Sequence, residues 1–285
     1  MTTLNKKIDF TVIFTVKNGN PNGDPLMDNM PRTDYEGFGE VSDVCLKRKI
    51  RNRLQQAGYE IFVQSQDRSE DGYKSLEARF DATFVKNDKD EDVAKRACEK
   101  WIDVRSFGQV FTYQKRSLGV RGPVSVSLAK SLREVGVISM QITRSTNGVK
   151  AEEGKTRSKD TMGLKNYIDF GVYKFTGSIN CYFAEKTGFT EEDAQQIKEA
   201  LRTLFINDMS SARPEGSMEV KKIYWFVHPN KLGTASSAKI NELIKVKAPD
   251  KQKNITYEDY EISVDQEGLA KYQKDGLVLE EIEGI

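Results

Sequence analysis

A run of alternating apolar and polar residues near the start of the chain limits its fold more than any other feature. In IDFTVIFTV, residues 8–16, apolar side chains occupy every second position from Ile8 to Val16, and only Ile13 departs from the pattern. Successive side chains of a β-strand point to opposite faces, so this period predicts a strand with one buried face. The fold therefore contains a sheet to which this segment contributes early.

Comparable signals follow along the chain. A helix is expected from Ser42 to Ala57, with Gly58 as the glycine that ends it. Thr190 is expected to cap a second helix through its acidic first turn. Apolar residues predicted on that second helix are Ile197, Leu201, Leu204 and Phe205. Alternation predicts three further strands, at Gly122–Leu128, Gly171–Phe183 and Lys221–Val227.

Two longer segments interrupt these elements, and without them the order is β-α-β-β-α-β. This is the ferredoxin-like plan shared by RNA-recognition modules. We therefore expect an α+β fold, a modified RNA-recognition-motif (ferredoxin-like) palm forming a single domain over residues 1–285. The insertions are residues 59–118, with a short helix near Asp92–Trp101, and residues 129–170, where a hairpin turn would suffice. Residues 230–285 form an acidic C-terminal extension.

The net charge of +1 conceals an uneven distribution. The segment Ile255–Ile285 holds nine acidic and two basic residues, which leaves 42 basic and 34 acidic residues in the rest. A basic body points to a polyanionic partner, although solvated surface charge explains the same numbers.

The cysteines and the hydropathy of the chain indicate the cellular compartment in which it is expected. Cys45, Cys98 and Cys181 are far apart and form no CxxC pair, so neither a disulfide framework nor a zinc site is expected. No apolar segment follows Met1, and no apolar run approaches the length of a membrane span. We expect a soluble cytoplasmic protein with no membrane partner, no bound metal and no cofactor.

The loop NGNPNGDP, residues 18–25, resembles part of a calcium-binding loop. Asn18, Asn20, Asn22 and Gly23 occupy positions one, three, five and six of an EF-hand-like pattern. The twelfth position is Asn29 where a bidentate glutamate is needed, so calcium binding is not expected. Turn-forming residues after a strand explain the loop without any ligand.

Candidate catalytic groups are few. A reactive loop would need Asp24, Asp28 or Asp34 to hold a metal ion or to activate a ribose hydroxyl. His228 is the only histidine, which excludes a zinc site with several histidines and leaves one candidate general base. A histidine just past a strand is more often structural.

The first helix carries concentrated positive charge. Lys47, Arg48 and Arg51 cluster beside its apolar face, whereas Lys49 lies on the opposite flank. No acidic residue occurs between positions 44 and 56, so no intrahelical pairing is expected to neutralise this charge. An unpaired basic flank beside a helix N-terminus suits phosphates; a solvated helix face is the alternative.

The second insertion is also basic, with Arg144 and Lys165 among small polar residues. Met162 or Leu164, near its end, is a candidate to wedge between bases. The alternative interpretation is a disordered surface loop.

A third basic region, RSFGQVFTYQKRSLGVRGP, places Arg105 and Arg121 around aromatic residues. Interleaved arginine and aromatic residues fit single-strand binding and also occur at ordinary strand ends. The paired stacking aromatics of an RNA-recognition motif are missing, so RNA would not be read on the sheet face in the usual way.

Several segments, taken together and in order, resemble the backbone subunit of type I CRISPR Cascade complexes, above all its subtype I-C version. The likeness covers most of the chain up to about Val227. It is carried by residues 18–54 with the core VSDVCLKRKIR, by DVRSFG (103–108), by RGPVSVSLAKS (121–131) and by GVYKFTGSINCYF (171–183).

The resemblance implies a palm with a finger insertion at 59–118 and a thumb insertion at 129–170. It implies a non-catalytic subunit that stacks as copies of itself along one crRNA, beside other Cascade subunits and a target DNA strand paired to the guide. Lys47, Arg48 and Arg51 would contact crRNA phosphates, and Met162 or Leu164 would be the thumb wedge. The full set of expected RNA-binding residues is Asn18, Asn20, Asn22, Lys47, Arg48, Arg51, Arg105, Arg121, Arg144, Met162, Lys165 and Arg213.

Two enzymatic alternatives stay open at this point. Related type III backbone subunits cleave target RNA with an aspartate in this loop. One alternative is therefore a metal-dependent endoribonuclease that uses Asp24, Asp28 or Asp34. A metal-independent RNA-processing enzyme would use His228 as its base. The acidic extension either packs on a neighbour's basic groove or discourages unguided RNA, and the sequence favours neither.

Overall fold

The computed structural model describes residues 2–144, 161–250 and 254–285. Its helices are α1 (Asp43–Gln56), α2 (Leu76–Asp81), α3 (Asp90–Lys100), α4 (Ile102–Phe107), α5 (Cys181–Thr187), α6 (Glu191–Arg202), α7 (Ser237–Asn241) and α8 (Gln266–Gln273). Its strands are β1 (Ile8–Gly19), β2 (Gly23–Asp24), β3 (Met30–Pro31), β4 (Phe38–Val41), β5 (Gly108–Phe111), β6 (Leu118–Arg121), β7 (Val124–Val126), β8 (Ala129–Glu134), β9 (Val137–Arg144), β10 (Thr161–Ile179), β11 (Met218–Val227), β12 (Ile244–Lys247), β13 (Glu261–Val264) and β14 (Val278–Glu283). No helix within these ranges is long and apolar enough to cross a membrane.

A large antiparallel sheet organises the molecule. Among the described residues its strand order is β14-β11-β1-β10-β8-β4, and β7 and β9 also pair with β10. The central strand β1 places Phe10 opposite Gly177 of β10 on one side and Trp225 of β11 on the other. The long alternating strands predicted from the sequence are therefore confirmed as neighbours in one sheet.

The expectation that β1 has one buried face is wrong, because both of its faces are covered. Phe10, Val12 and Phe14 pack against α1 and α6 in one apolar cluster. On the other face Asp9 and Thr11 are buried as well, beneath a second cluster to which the C-terminal extension contributes. A sheet covered on both faces forms the middle of a three-layered arrangement.

Local capping explains where the helices begin and end. Ser42 caps α1 by accepting the N–H of Cys45 at 3.2 Å, and Gly58 follows the helix with φ +90°. Thr190 and Asp193 form a capping box at the start of α6. Both predicted helix starts are confirmed.

Several predicted boundaries need correction, and the largest is the start of β10, at Thr161 where Gly171 was predicted. The strand expected to reach Phe183 ends at Ile179, because the Asn180 side chain accepts the N–H groups of Tyr182 and Phe183 and starts α5. Helix α6 ends at Arg202, so the predicted Leu204 and Phe205 lie beyond it. Within Gly122–Leu128 only the three residues of β7 form a strand.

The two inserted segments differ in structure. Residues 59–118 hold α2, α3, α4 and β5 around their own apolar cluster, with Phe62, Phe80 and Trp101 at its centre. In residues 129–170, β8 joins the main sheet, whereas β9 and the first part of β10 form a hairpin. The C-terminal extension folds back over the sheet and ends with β14 at its edge.

Candidate nucleic-acid interface

The loop that follows β1 is held between three parts of the fold. Its first anchor is the segment before β11: Asn20 N–H donates to Ala212 O at 2.8 Å, and the Asn20 side chain donates to Asn29 O at 2.6 Å. A guanidinium N–H of Arg213 also lies 3.5 Å from Asn20 O. Asn20 is buried, and its hydrogen bonds fix the conformation of the loop.

The second anchor is the start of α1. The side-chain oxygen of Asn22 accepts the backbone N–H of Ser42 at 2.9 Å, and Ser42 in turn caps the helix. The third anchor is the hairpin, where Asn166 of β10 donates to Asp28 O at 3.0 Å. The loop thus joins the helix start and the hairpin base in one continuous surface, which we call the loop–helix surface (residues 18–47 with 165–166).

Two of the loop aspartates have protein partners. Asp24 accepts the N–H of Leu26 at 3.0 Å and pairs with Arg32 at 3.2 Å. Asp34 pairs with Lys130 at 2.5 Å, and the hydrogen bond from Lys130 lowers the pKa of Asp34 below its ordinary value. Within the described residues, no group of three or more His, Cys, Asp or Glu side chains is placed to hold a metal ion.

The basic side chains of α1 have partners as well, and the expectation of an unpaired flank is wrong. Lys47 pairs at 3.0 Å with Asp43, one helical turn earlier. Asp43 lies just before the stretch that lacks acidic residues, so that stretch alone does not reveal the pair. Arg51 Nε donates to the buried Asp103 carboxylate at 3.0 Å. Arg48 donates to Val63 O, and burial lowers the pKa of Arg48 to about 10, so it stays charged at neutral pH.

Lys49, assigned by the sequence to the flank opposite this basic cluster, is buried. It pairs with Asp208, and Asp208 also accepts Nε–H of Arg213 at 3.2 Å. Burial lowers the pKa of Lys49, although the neighbouring Asp208 opposes that effect. This triad joins α1 to the segment that anchors Asn20, which places Arg213 at the back of the loop–helix surface.

The single histidine of the chain has no access to solvent. His228 is fully buried, its Nε2 lies 2.8 Å from Asp9 Oδ2, and its Nδ1 accepts the N–H of Thr234 at 3.0 Å. Because Nδ1 accepts, the ring proton is on Nε2 and is donated to Asp9. This neutral histidine ties β1 to the C-terminal extension and is not placed to act on a substrate.

Comparison with known proteins places the chain in a family. The sequence matches the family described as CRISPR-associated protein Cas7 over residues 6–265. The chain belongs to the Cas7 family. The CRISPR-associated protein Cas7 of Haloferax volcanii is 29% identical over 217 residues, covering 69% of this chain and 63% of the relative. The aligned part thus spans less than two thirds of that Cas7 protein.

One solved structure agrees at the level of the fold. A chain from a CRISPR RNA-guided surveillance complex shares 15% identity and a TM-score of 0.50, with 97% of this chain and 88% of that chain covered. A chain from a pre-nicking form of such a complex gives a TM-score of 0.48 at 15% identity, covering 77% and 75%.

Two other arginines of this Cas7 chain lie away from the loop–helix surface. Arg105 makes two hydrogen bonds of 2.8 Å to Asp193, which also belongs to the capping box of α6. Arg121 is exposed, with its guanidinium 4.7 Å from the ring centroid of Phe183. Arg105 therefore joins α4 to α6, whereas Arg121 is available to a ligand.

The hairpin holds further candidates. Residues 145–160, and the side chains of Arg144 and Met162, lie outside the described part of the chain. Leu164 is exposed, and Lys165 lies opposite Met140 of β9.

Sequence reasoning missed an apolar face on this Cas7 hairpin. Ile138, Met140 and Ile142 are all exposed and alternate along β9, so they share one face. The signal was present in VISMQIT, residues 137–143, which alternates as plainly as β1 does.

Proposed function

We propose that this chain is a non-catalytic crRNA-binding subunit that binds the guide along the loop–helix surface and oligomerises along it. Copies in a helical filament would form the backbone of a cytoplasmic CRISPR interference complex of the Cascade type, with other subunits and a target DNA strand paired to the guide. Membership of the Cas7 family over residues 6–265 is the observation that carries the proposal. Specificity would come from base pairing, with the protein recognising backbone and shape.

The topology supports a palm with finger and thumb. The strand order β11-β1-β10-β7, with α1 and α6 on one face, follows the ferredoxin-like plan. We infer that this part is the RNA-recognition-motif-like palm. Residues 59–118, with their own core, would be the finger, and residues 129–170 the thumb. The motifs in residues 18–54 and 171–183 favour the subtype I-C version of the subunit.

We assign the proposed RNA contacts to two groups. Direct contacts would come from the exposed or half-exposed Asn18, Asn22, Lys47, Arg121 and Lys165, and from Arg144 and Met162 of the thumb. The loop–helix surface would be held in place by the internal hydrogen bonds of Asn20, Arg48, Arg51 and Arg213, and Arg105 would hold α4 against α6 beside it. Leu164, exposed beside Lys165, is the second wedge candidate.

The direct test is light scattering after size-exclusion chromatography, with and without a crRNA-length RNA, at two salt concentrations. We expect multimers that form only on RNA and weaken as salt rises, because phosphate contacts release counterions. The variant Lys47→Glu with Lys165→Glu is expected to lose these multimers. Arg51 is unsuitable for reversal, because Arg51→Glu would place a second carboxylate against the buried Asp103.

Lys271→Glu with Lys274→Glu is the matched control, since it makes the same charge change on exposed residues of the C-terminal extension. Unchanged assembly of the Lys47 and Lys165 variant, or equal loss in the control, would contradict the proposal. Incubation of the assembled RNA with magnesium is expected to leave it intact. Cleavage that disappears in Asp24→Ala or Asp34→Ala would assign nuclease activity instead.

A further inference from the structure

The last strand of the chain is an acidic strand at the edge of the main sheet. β14 has the sequence VLEEIE and pairs with β11 alone among the described residues, from Val278 opposite Val227 to Glu283 opposite Lys222. Leu279 and Ile282 are its apolar anchors against the two clusters. Half of its residues are glutamates, which packing of the strand does not require.

Each glutamate of β14 lies close to a cation of the same chain. Glu280 pairs with Lys198 of α6 at 2.7 Å. On the other face of the sheet, Lys222 of β11 lies 2.7 Å from Glu281 and 3.5 Å from Glu283. The hydrogen bond to Glu281 raises the pKa of Lys222 above its ordinary value.

A third cation, Arg202, is hydrogen-bonded to the backbone at the end of β14. Arg202 Nε donates to Glu283 O at 3.2 Å, and Ile285 N–H donates back to Arg202 O at 3.4 Å. We call Lys198, Arg202 and Lys222 the cationic edge. All three side chains are only partly exposed, with Lys198 at 14%.

Without these glutamates, Lys198 and Lys222 would lose their carboxylate partners at the sheet edge, Lys198 on the α6 face and Lys222 on the opposite face. Arg202 would keep its pair with Glu199, 3.5 Å away. Unpaired lysines bind phosphate backbones without regard to sequence, and the β14 glutamates remove that possibility at these two residues. The pairs of Lys222 with Glu281 and Glu283 are partly exposed, and exposed ion pairs add little to folding stability. Stability is therefore a poor explanation for these two glutamates.

We propose that β14 acts as an intramolecular shield: its glutamates pair with Lys198 and Lys222 of the cationic edge and prevent single-stranded RNA from binding there non-specifically. The acidic extension thus engages a basic surface of its own chain rather than one on a neighbour. None of the cationic edge belongs to the proposed guide-binding contacts, so the shield holds whether or not the chain assembles on a guide.

The test measures binding of a fluorescent oligouridine to the full-length protein by anisotropy across a salt series. The variant Glu280→Gln, Glu281→Gln, Glu283→Gln keeps the strand and removes its charge. We expect tighter binding than wild type, with a slope of log K against log salt steeper by about 1.4, from about 0.7 for each of the two lysines released to contact phosphate. A circular-dichroism melt checks that the variant is folded.

Two comparisons separate release of the cationic edge from a simple change in net charge. Glu242→Gln, Glu267→Gln, Asp275→Asn makes the same change on exposed acids of the extension and is expected to leave the slope at the wild-type value. Adding Lys198→Gln and Lys222→Gln to the β14 variant is expected to remove most of the gain. A β14 variant that binds no more tightly than the control, or keeps its full gain without the two lysines, would overturn the proposal. Loss of guide-dependent multimers with the gain intact would count against the proposed function alone.

Discussion

At the scale of single residues, Asp103 illustrates how one buried carboxylate positions a candidate site. It is almost completely buried and accepts the N–H groups of Phe62 and Val63 at 2.8 and 3.1 Å, together with Arg51 Nε at 3.0 Å. Asp103 therefore fixes both the first turn of the inserted segment and the basic side of α1. Its charge is satisfied entirely by groups distant in sequence.

We expect Asp103→Ala to destabilise the protein by about 3 kcal/mol, because it leaves Arg51 and two N–H groups without their buried partner. Urea unfolding followed by tryptophan fluorescence measures the loss. The exposed Glu99→Ala on α3 is the control and is expected to change stability by less than about 0.5 kcal/mol. Equal effects of the two changes would show that Asp103 is not an organising residue.

Asp9 gives a prediction for pH dependence. Burial alone raises its pKa, but hydrogen bonds from His228 and Ser237, together with Lys7, hold it below its ordinary value of 3.8. A carboxylate with a lowered folded pKa stabilises the protein above the unfolded value and loses that contribution as the pH falls through the folded value. Wild type is therefore expected to lose stability below pH 3.8.

The variant Asp9→Asn is expected to be less stable at neutral pH and to show a flatter acid limb. Urea midpoints measured between about pH 5 and 2 test this, since that range covers the titration of ordinary and lowered carboxylates. Asp275→Asn, an exposed acid of the extension, should keep the wild-type profile. An unchanged acid limb in Asp9→Asn would assign the acid sensitivity to other groups.

At the scale of elements, β4 and β10 approach closely through a glycine. A Cβ at Gly39 would lie 2.1 Å from the hydroxyl oxygen of Tyr173 and 2.8 Å from its Cζ. Tyr173 is fully buried and stacks on Phe14 with ring centroids 5.1 Å apart, so it cannot move aside easily. No described group forms a hydrogen bond with its hydroxyl.

Gly39→Ala is expected to cost about 1–3 kcal/mol through overpacking. Tyr173→Phe alone is expected to be nearly neutral, because the hydroxyl it removes has no partner in the described residues. In the double variant part of the loss should return, since the nearest clashing atom is gone. Thermal unfolding of the four proteins forms a double-mutant cycle, and strict additivity would contradict the contact.

The elements that the sequence predicted well are those with local signals. Ser42 and Gly58 at the ends of α1, and Thr190 with Asp193 at the start of α6, act within one helical turn, so their positions follow from sequence alone. The strand end at Ile179 was missed because Cys181 and Phe183 continue the apolar alternation. There the capping preference of Asn180 outweighs the pattern.

The candidate site was less predictable because its partners are remote in sequence. Arg51 is paired by Asp103 and Lys49 by Asp208, and no spacing rule relates these positions. The sequence correctly indicated a loop joined to α1, whereas the role of Asn22 in holding Ser42 required the folded backbone. The sequence therefore showed correctly where the basic residues lie. It did not show which of them already have partners within the protein.

At the scale of the whole molecule, the C-terminal extension completes the core. Ile13, Val172, Tyr224 and Phe226 of the sheet are covered by residues of the extension, including Ile240 and Leu269. This burial explains why β1 is apolar on one face and yet buried on both.

A chain ending at Asn230 is expected to lose its native packing and to bind an apolar dye, because the second face of the sheet would be exposed. Near-ultraviolet circular dichroism and dye fluorescence measure these changes. Removal of Gly284 and Ile285 alone leaves the second cluster intact and is expected to have little effect. A folded, non-aggregating chain of residues 1–230 would contradict a structural role for the extension.

β10 belongs to two parts of the molecule at once. Its residues Thr161–Ile168 pair with β9, and Ile168–Ile179 pair with β1, so one strand of 19 residues continues from hairpin to sheet without a hinge. At about 3.3 Å per residue the hairpin section is an arm of about 25 Å, and a rotation of about 10° at its base displaces its far end by about 4 Å. The hairpin is thus an arm fixed to the sheet at its base, so a change in the twist of the sheet would displace the far end of the hairpin.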